Sequence, residues 1–209
     1  MSYIGTPEEL VKSGSKIGVS KYIVHSTATK AMQVESINNY IIDELIDYPE
    51  FVGYGTIHPD YDNFENELKR IKAEGLRGVK LHPDFQKFYI DGENAEKFYR
   101  VAGDFPILLH VGDDRYEYSK PNRLAKMAKK YPRVNFIAAH FGGYRCWSEV
   151  SVYEGLEKEI FSEPEIAFVG GEDGLKTLIA TRRRKLDELD QARISQIAAP
   201  GFEAANTIW

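Results

Sequence analysis

Every histidine in this chain closes a short apolar run. There are five: His25 ends KYIVH, His58 ends FVGYGTIH, His82 ends GVKLH, His110 ends PILLH and His140 ends VNFIAAH. Scattered histidines would not fall this way. Neutral imidazole is a ligand for divalent metals, and with an ordinary pKa of about 6.5 it exchanges protons near neutral pH. A set gathered on one surface therefore offers metal ligation and general acid–base chemistry. One histidine in such a place is more often a polar terminator that bonds a neighbouring loop. The recurrence at all five runs is what points to a site.

Other polar residues accompany them. Asp60 and Asp84 occur in two copies of His-Pro-Asp, and Asp113-Asp114 follow His110 closely. An aspartate just after a strand usually caps the next helix, so Asp60 and Asp84 are assigned mainly to capping and turn formation. Asp113 is expected to face the site. Lys80 stands two residues before His82 and so shares its face. On the inner side of a sheet a lysine is costly unless it meets an acid or a metal-bridging group. Phe141-Gly142-Gly143 either lets backbone approach a ligand or makes a tight turn. Ser26 and Ser119 lack a nucleophile elbow, and nothing marks Cys146 as a thiolate, so it reads as a buried structural thiol.

The elements that must carry these residues alternate. The five runs and a sixth at Glu165–Val169 start roughly 30 residues apart, the length of one βα unit. Thr6-Pro7-Glu8-Glu9 supplies an N-cap, a proline at N1 and an acid at N3, opening a helix toward Ile17. Val34, Ile37, Ile41 and Leu45 form one helical stripe, Phe64, Leu68 and Ile71 a second, and Leu124, Met127, Ala128 and Tyr131 a third that stops at Pro132. Glu149 to Phe161 is expected to be a further helix. Strands alternating with amphipathic helices imply a parallel α/β sheet. An open doubly wound sheet and a closed (β/α)8 barrel both satisfy this. The absence of a glycine-rich phosphate fingerprint favours the barrel. The expectation is a (β/α)8 TIM-barrel type fold, incomplete or divergent: six clear strands, with KTLIAT (176–181) as a seventh, in one domain over residues 1–209. The last segment, from LDELDQ onward, reads as a terminal helix broken at Pro200-Gly201.

Composition narrows the class. The chain has 209 residues, 43% of them hydrophobic, with a net charge of −5. No broad basic stripe is present, which argues against a nucleic-acid partner; the run Arg182–Lys185 reads as a solvated turn or helix start. No apolar stretch reaches membrane-spanning length and no signal peptide is evident. The lone Cys146 allows no internal disulfide and suits a reducing cytoplasm.

GVKLHPDFQKFYID, PILLHVGDD and VNFIAAHFGGYRCWSE resemble strands 4, 5 and 6 of the amidohydrolase superfamily, in particular its amidohydrolase-2 group of metal-dependent hydrolases and decarboxylases. Upstream, GVSKYIVHSTATKAMQVESINNYI and FVGYGTIHPDYDNFENELKRIKAEGLRG are similar to strands 2 and 3. The resemblance runs from about Thr6 to Glu159. It implies a (β/α)8 barrel with one divalent metal, often zinc, at its mouth, acting on a small-molecule substrate. By position, His110 matches the strand 5 metal ligand, and His140 the strand 6 histidine that lies beside the metal and orients or deprotonates the attacking water. His110 and His140 thus form the core of the implied site, with Asp113 as a further catalytic group and His25, His58, His82 and Lys80 lining it.

Two departures stand out. The family's first strand ends in His-x-His, which this sequence lacks, and Arg182 follows KTLIAT where the family has an aspartate; Asp173 is a substitute placed one unit early. The implied activity is hydrolysis of a C–N or C–O bond, with non-oxidative decarboxylation of an aromatic acid as the alternative. The departures favour a reading of another class, a catalytically silent barrel serving as a binding or partner subunit. A first strand supplied by another chain would make the protein a homo-oligomer.

Overall fold

A computed structural model describes residues 6–156. Five strands form one parallel sheet: β1 (Tyr22–His25), β2 (Phe51–Thr56), β3 (Gly78–Leu81), β4 (Ile107–Leu109) and β5 (Phe136–Ala138). Each pairs with its sequence neighbour, in the order β1-β2-β3-β4-β5. That order separates the two architectures. Crossovers between parallel strands are right-handed, so a sheet that never reverses direction puts every helix on one face. The other face has to be enclosed by curvature, as in a (β/α)8 barrel. A doubly wound sheet reverses and covers both faces with helices. The described strands are five consecutive strands of a barrel; the sixth and seventh expected strands and the terminal helix lie outside the described residues.

Alternation along the strands supports this. Val79, Leu81, Ile107, Leu109, Phe136 and Ala138 belong to the large core shared with the helices. The intervening Tyr54, Leu108 and Ala139, with Ile23, Val52 and Ile137 against them, make a separate cluster on the inner face. Lys80 falls on that inner register, opposite Thr56 and Leu108.

The helices are α1 (Pro7–Ser15), α2 (Val34–Asp47), α3 (Phe64–Ala73), α4 (Pro83–Gln86), α5 (Glu93–Ala102) and α6 (Pro121–Lys130). At α1 the Glu9 N–H donates to the Thr6 hydroxyl and Pro7 sits in the first turn, as the sequence reading expects. The helix stops at Ser15, short of Ile17, which is exposed. The stripes of α2, α3 and α6 bury Val34 and Ile41, Leu68 and Ile71, and Leu124, Met127 and Ala128. The helix expected from Glu149 is corrected within the described residues: Trp147–Tyr153 is a 3-10 helix, and Gly155 follows at φ 83. Helix α5 is an addition to the sequence reading. It buries Ala95, Phe98, Tyr99 and Ala102.

Candidate metal centre

The strand ends hold the histidines as expected. His25 is the last residue of β1, His82 and His110 follow β3 and β4 directly, and His58 and His140 come two residues after β2 and β5. The ladder continues past the strands and fixes two of them. The His110 N–H donates to Leu81 O at 3.0 Å, and Ala139 N–H, just before His140, donates to Leu109 O at 2.9 Å. Beyond them the loops stay clipped together: Tyr144 N–H donates to Val111 O and Arg145 N–H to Gly112 O, each at 2.8 Å. Gly112 (φ 91) is required here, because a Cβ would lie 2.4 Å from the Gly143 Cα. Gly142 and Gly143 pack against Tyr153, Val150 and Gly112, so that stretch is a tight turn.

Three side chains converge most closely. His82, Asp84 and His110 each bring one donor atom within 4.8 Å of the others. Asp84 Oδ2 lies 3.6 Å from His110 Nε2, and the two side chains are 0% and 6% exposed. Both Asp84 carboxylate oxygens and His110 Nε2 are buried without a hydrogen-bond partner among the described residues. The His82 ring stacks on His110 at 3.9 Å and on Phe85 at 3.8 Å. His82 Nδ1 accepts from Phe85 N–H, which leaves Nε2 for another partner.

Asp84 is the residue that sequence reasoning left out of the site. Its N-terminal place on α4 suggested a cap, yet the cap contact is made by His82. Gln86 was also missed. Its Nε2 donates to Ala28 O (2.9 Å) and Ile57 O (2.7 Å), and its Oε1 accepts from His82 N–H (2.9 Å). One buried amide thereby ties the ends of three strands and sets His82. Nothing in its local sequence marks it.

The other expected residues divide. His140, at φ 55, sets its ring edge-on to His110 at 4.6 Å. Burial, then the charge of Lys80, pushes His140 down to about 3. His25 is pushed to about 3 by burial, Lys80 and His140. Burial drives His82 and His110 down as well, with Lys80 and His140 adding to it. These four imidazoles and Lys80 therefore share one mouth. His58 does not join them: its Nδ1 accepts from Asp60 N–H at 3.1 Å within its own turn. Asp113 is 2% exposed, but its oxygens accept from the Arg115 guanidinium at 2.9 and 2.7 Å, which holds its carboxyl low. It braces the β4 loop, its N–H donating to the Ser119 hydroxyl. Lys80 is 4% exposed, burial pushes its amine down to about 7, and no acid is paired with it among the described residues. Cys146 is buried and its thiol is pushed up by that burial, as a structural thiol would be.

Two imidazoles and a carboxylate suit a divalent ion of the zinc or manganese type. The unpartnered oxygens and Nε2 are what such an ion would satisfy. Burial pushes the Asp84 carboxyl up, partly offset by the nearby Ser119 hydroxyl.

The model of a family described as amidohydrolase matches residues 17–158. No curated protein matches the sequence. Among solved structures, a 5-carboxyvanillate decarboxylase from Novosphingobium aromaticivorans, complexed with manganese and 4-hydroxy-3-methoxy-5-nitrobenzoic acid, is 16% identical with a TM-score of 0.53, covering 72% of this chain and 53% of that one. A probable 2-pyrone-4,6-dicarboxylic acid hydrolase from Acinetobacter baumannii, with citric acid bound, is 13% identical with a TM-score of 0.53, covering 92% and 86%. A 2,6-dihydroxybenzoate decarboxylase, complexed with 2,6-dihydroxybenzoate, is 18% identical with a TM-score of 0.47, covering 71% and 60%. The chain thus spans 53% and 60% of the lengths of the two decarboxylases. At such identities the likeness is one of fold.

Proposed function

This chain belongs to the amidohydrolase family, and from that premise we propose that it is a metal-dependent hydrolase acting on a C–N or C–O bond of a small molecule in a reducing cytoplasm. The observation that carries the reading is the trio His82, Asp84 and His110, in which the Asp84 oxygens and His110 Nε2 are buried with no hydrogen-bond partner among the described residues. These residues would hold the ion, and zinc fits their nitrogen and oxygen donors. When bound, such an ion supplies Lewis acidity toward a carbonyl oxygen and toward water.

The chain's own residues supply the rest. His140 is an uncharged imidazole set edge-on to His110, where it can orient a water beside the trio. Gln86 holds His82 in place through its backbone N–H. The Asp113–Arg115 pair stiffens the loop behind His110. Apolar walls at Tyr54 and Leu108 keep the floor of the mouth dry.

A second reading, non-oxidative decarboxylation of an aromatic acid on the same residues, is favoured by one observation: the buried amine of Lys80, which burial pushes down to about 7, stands in the mouth as a group that can pass a proton near neutral pH. Elemental analysis of the purified protein tests the common core. One equivalent of divalent metal, lost in His110→Ala and Asp84→Asn, supports it. Metal at background level after incubation with zinc or manganese overturns it.

A further inference from the structure

A run of buried polar groups joins the outer helices to the metal centre. It begins at Glu67 on α3, 3% exposed, whose carboxylate accepts from the Arg70 guanidinium at 2.8 and 2.7 Å. Glu67 Oε1 also accepts from Asn38 Nδ2 of α2 at 2.7 Å. The rest of the Asn38 amide is spent on Thr56, the last residue of β2. Its Nδ2 donates to Thr56 O at 3.1 Å, and its Oδ1 accepts from Thr56 N–H at 2.7 Å. By that point β1 has ended, its pairing with β2 closing at His25 and Tyr54. The amide takes the place of a further β1 residue. Gly55 leaves room for it, since a Cβ there would lie 2.9 Å from Asn38 Oδ1.

The Thr56 hydroxyl carries the run into the mouth. It accepts from Ala28 N–H in the β1 loop and donates to Lys80 O on β3, each at 3.1 Å. Ala28 O accepts in turn from Gln86 Nε2, and Gln86 Oε1 holds His82 N–H. Ala28 is thus clamped between Thr56 and Gln86. Asn38, Thr56 and Ala28 are all fully buried. Polar groups buried in this way bring little net stability over apolar ones of the same shape. A set in which each member is paired instead fixes one geometry. We propose that Thr56 is a positioning residue of the metal centre: its hydroxyl sets the β1 loop against β3, and the Ala28–Gln86 link passes that setting to His82. The role of His82 as a ligand rests on the metal-site reading above; the way it is held rests on hydrogen bonds alone. Asn38 and Glu67 act behind Thr56 by fixing the end of β2.

Two measurements on the purified full chain test this. One is zinc affinity, by competition with a fluorescent chelator. The other is the His82 ring signal in NMR spectra of the metal-free, histidine-labelled protein, assigned by its loss in His82→Ala. Thr56→Val keeps the backbone contacts to Asn38 and removes the hydroxyl. It weakens zinc about tenfold or more and shifts the His82 signal. Thr56→Ser restores the hydroxyl, stays within about threefold of wild type and leaves the signal in place. In Gln86→Leu the link to His82 is already cut, so adding Thr56→Val costs less than about threefold more. An equal loss from Thr56→Val with and without Gln86→Leu overturns the proposal, because the two residues then act independently. A Thr56→Ser variant that behaves as Thr56→Val overturns it too, as does a His82 signal that Thr56→Val does not move. A wild type that takes no zinc removes the metal reading, and the His82 signal then decides the positioning role by itself. Zinc held equally by wild type and Thr56→Val keeps the metal reading and removes the role of Thr56.

Discussion

Asp84 Oδ2 and His110 Nε2 face each other at 3.6 Å across the gap between the ends of β3 and β4, both buried and neither hydrogen-bonded among the described residues. The separation is too long for a hydrogen bond, and it is of the size expected for two donors on one ion with bonds of about 2.0–2.2 Å. His82, held by Gln86 and stacked on His110, completes the group. The resemblance places the metal between His110 and His140. The proposed trio adds His82 and Asp84 from the β3 side.

The Asp84 carboxylate, without a hydrogen-bond partner among the described residues, should destabilise the metal-free protein. Asp84→Asn is expected to raise metal-free stability by about 1–3 kcal/mol, the desolvation cost of a buried acceptor without a donor, while abolishing the rise in melting temperature that zinc or manganese gives the wild type. Thermal melts with and without metal read both effects. A destabilised metal-free Asp84→Asn would show that the carboxylate has a structural partner.

The two ligand sets make opposite predictions for two histidines. If the trio holds the metal, His82→Ala should lower metal affinity by more than about a hundredfold, while His140→Ala costs only about ten- to a hundredfold, as for residues that touch ligands without being ligands. Competition with a fluorescent chelator measures both. Loss of metal from His140→Ala but not from His82→Ala would return the site to the His110–His140 pair.

Gln86 is expected to act on the metal through His82. Gln86→Leu strands Ala28 O, Ile57 O and His82 N–H. It should cost about 1–3 kcal/mol and weaken metal about tenfold or more. Urea unfolding and chelator competition, run on the same variant, separate the two effects. A fully stable variant with normal metal affinity would remove Gln86 from any positioning role.

Acid should destabilise the metal-free protein from the neutral side onward. His25 and His140 are pushed down to about 3 by burial and by Lys80, whereas unfolded histidine titrates near 6.5. Above that value both states are neutral and these groups contribute nothing. Below it the unfolded state binds protons that the folded state refuses, so stability falls with pH by up to about 1.4 kcal/mol per unit for each group. Glu67 acts in the same direction at lower pH. Burial raises its carboxyl, but Arg70 and Asn38 outweigh that and hold it low. Its contribution is therefore present above its unfolded pKa of about 4.3 and lost below it. Urea midpoints from about pH 7 to about pH 4 should decline throughout, and a flat profile down to about pH 5 would contradict the burial of the two imidazoles.

Much of the frame was legible along the chain. Apolar runs ending in histidine located five strands within one or two residues of their observed ends, because buried parallel strands need continuous apolar residues and polar side chains terminate them. The stripes of α2, α3 and α6 were equally plain. Helix α5 went unread: Ala95, Phe98, Tyr99 and Ala102 keep helical spacing, but two alanines weaken the apolar signal and Gly92 gives no side-chain cap.

The site was legible only in outline, and the two His-Pro-Asp tripeptides show why. At residues 58–60 the aspartate is 77% exposed and its N–H donates to His58 within a turn. At residues 82–84 the aspartate is fully buried against His110. The local sequence is the same and the roles are unrelated. Chain pattern determined that histidines would crown the strands, since that depends only on where each apolar run stops. Which of them meet a carboxylate was decided by the pairing of β3 with β4, which brings His110 to Asp84. That pairing is a contact between residues far apart in the chain, and no local spacing encodes it.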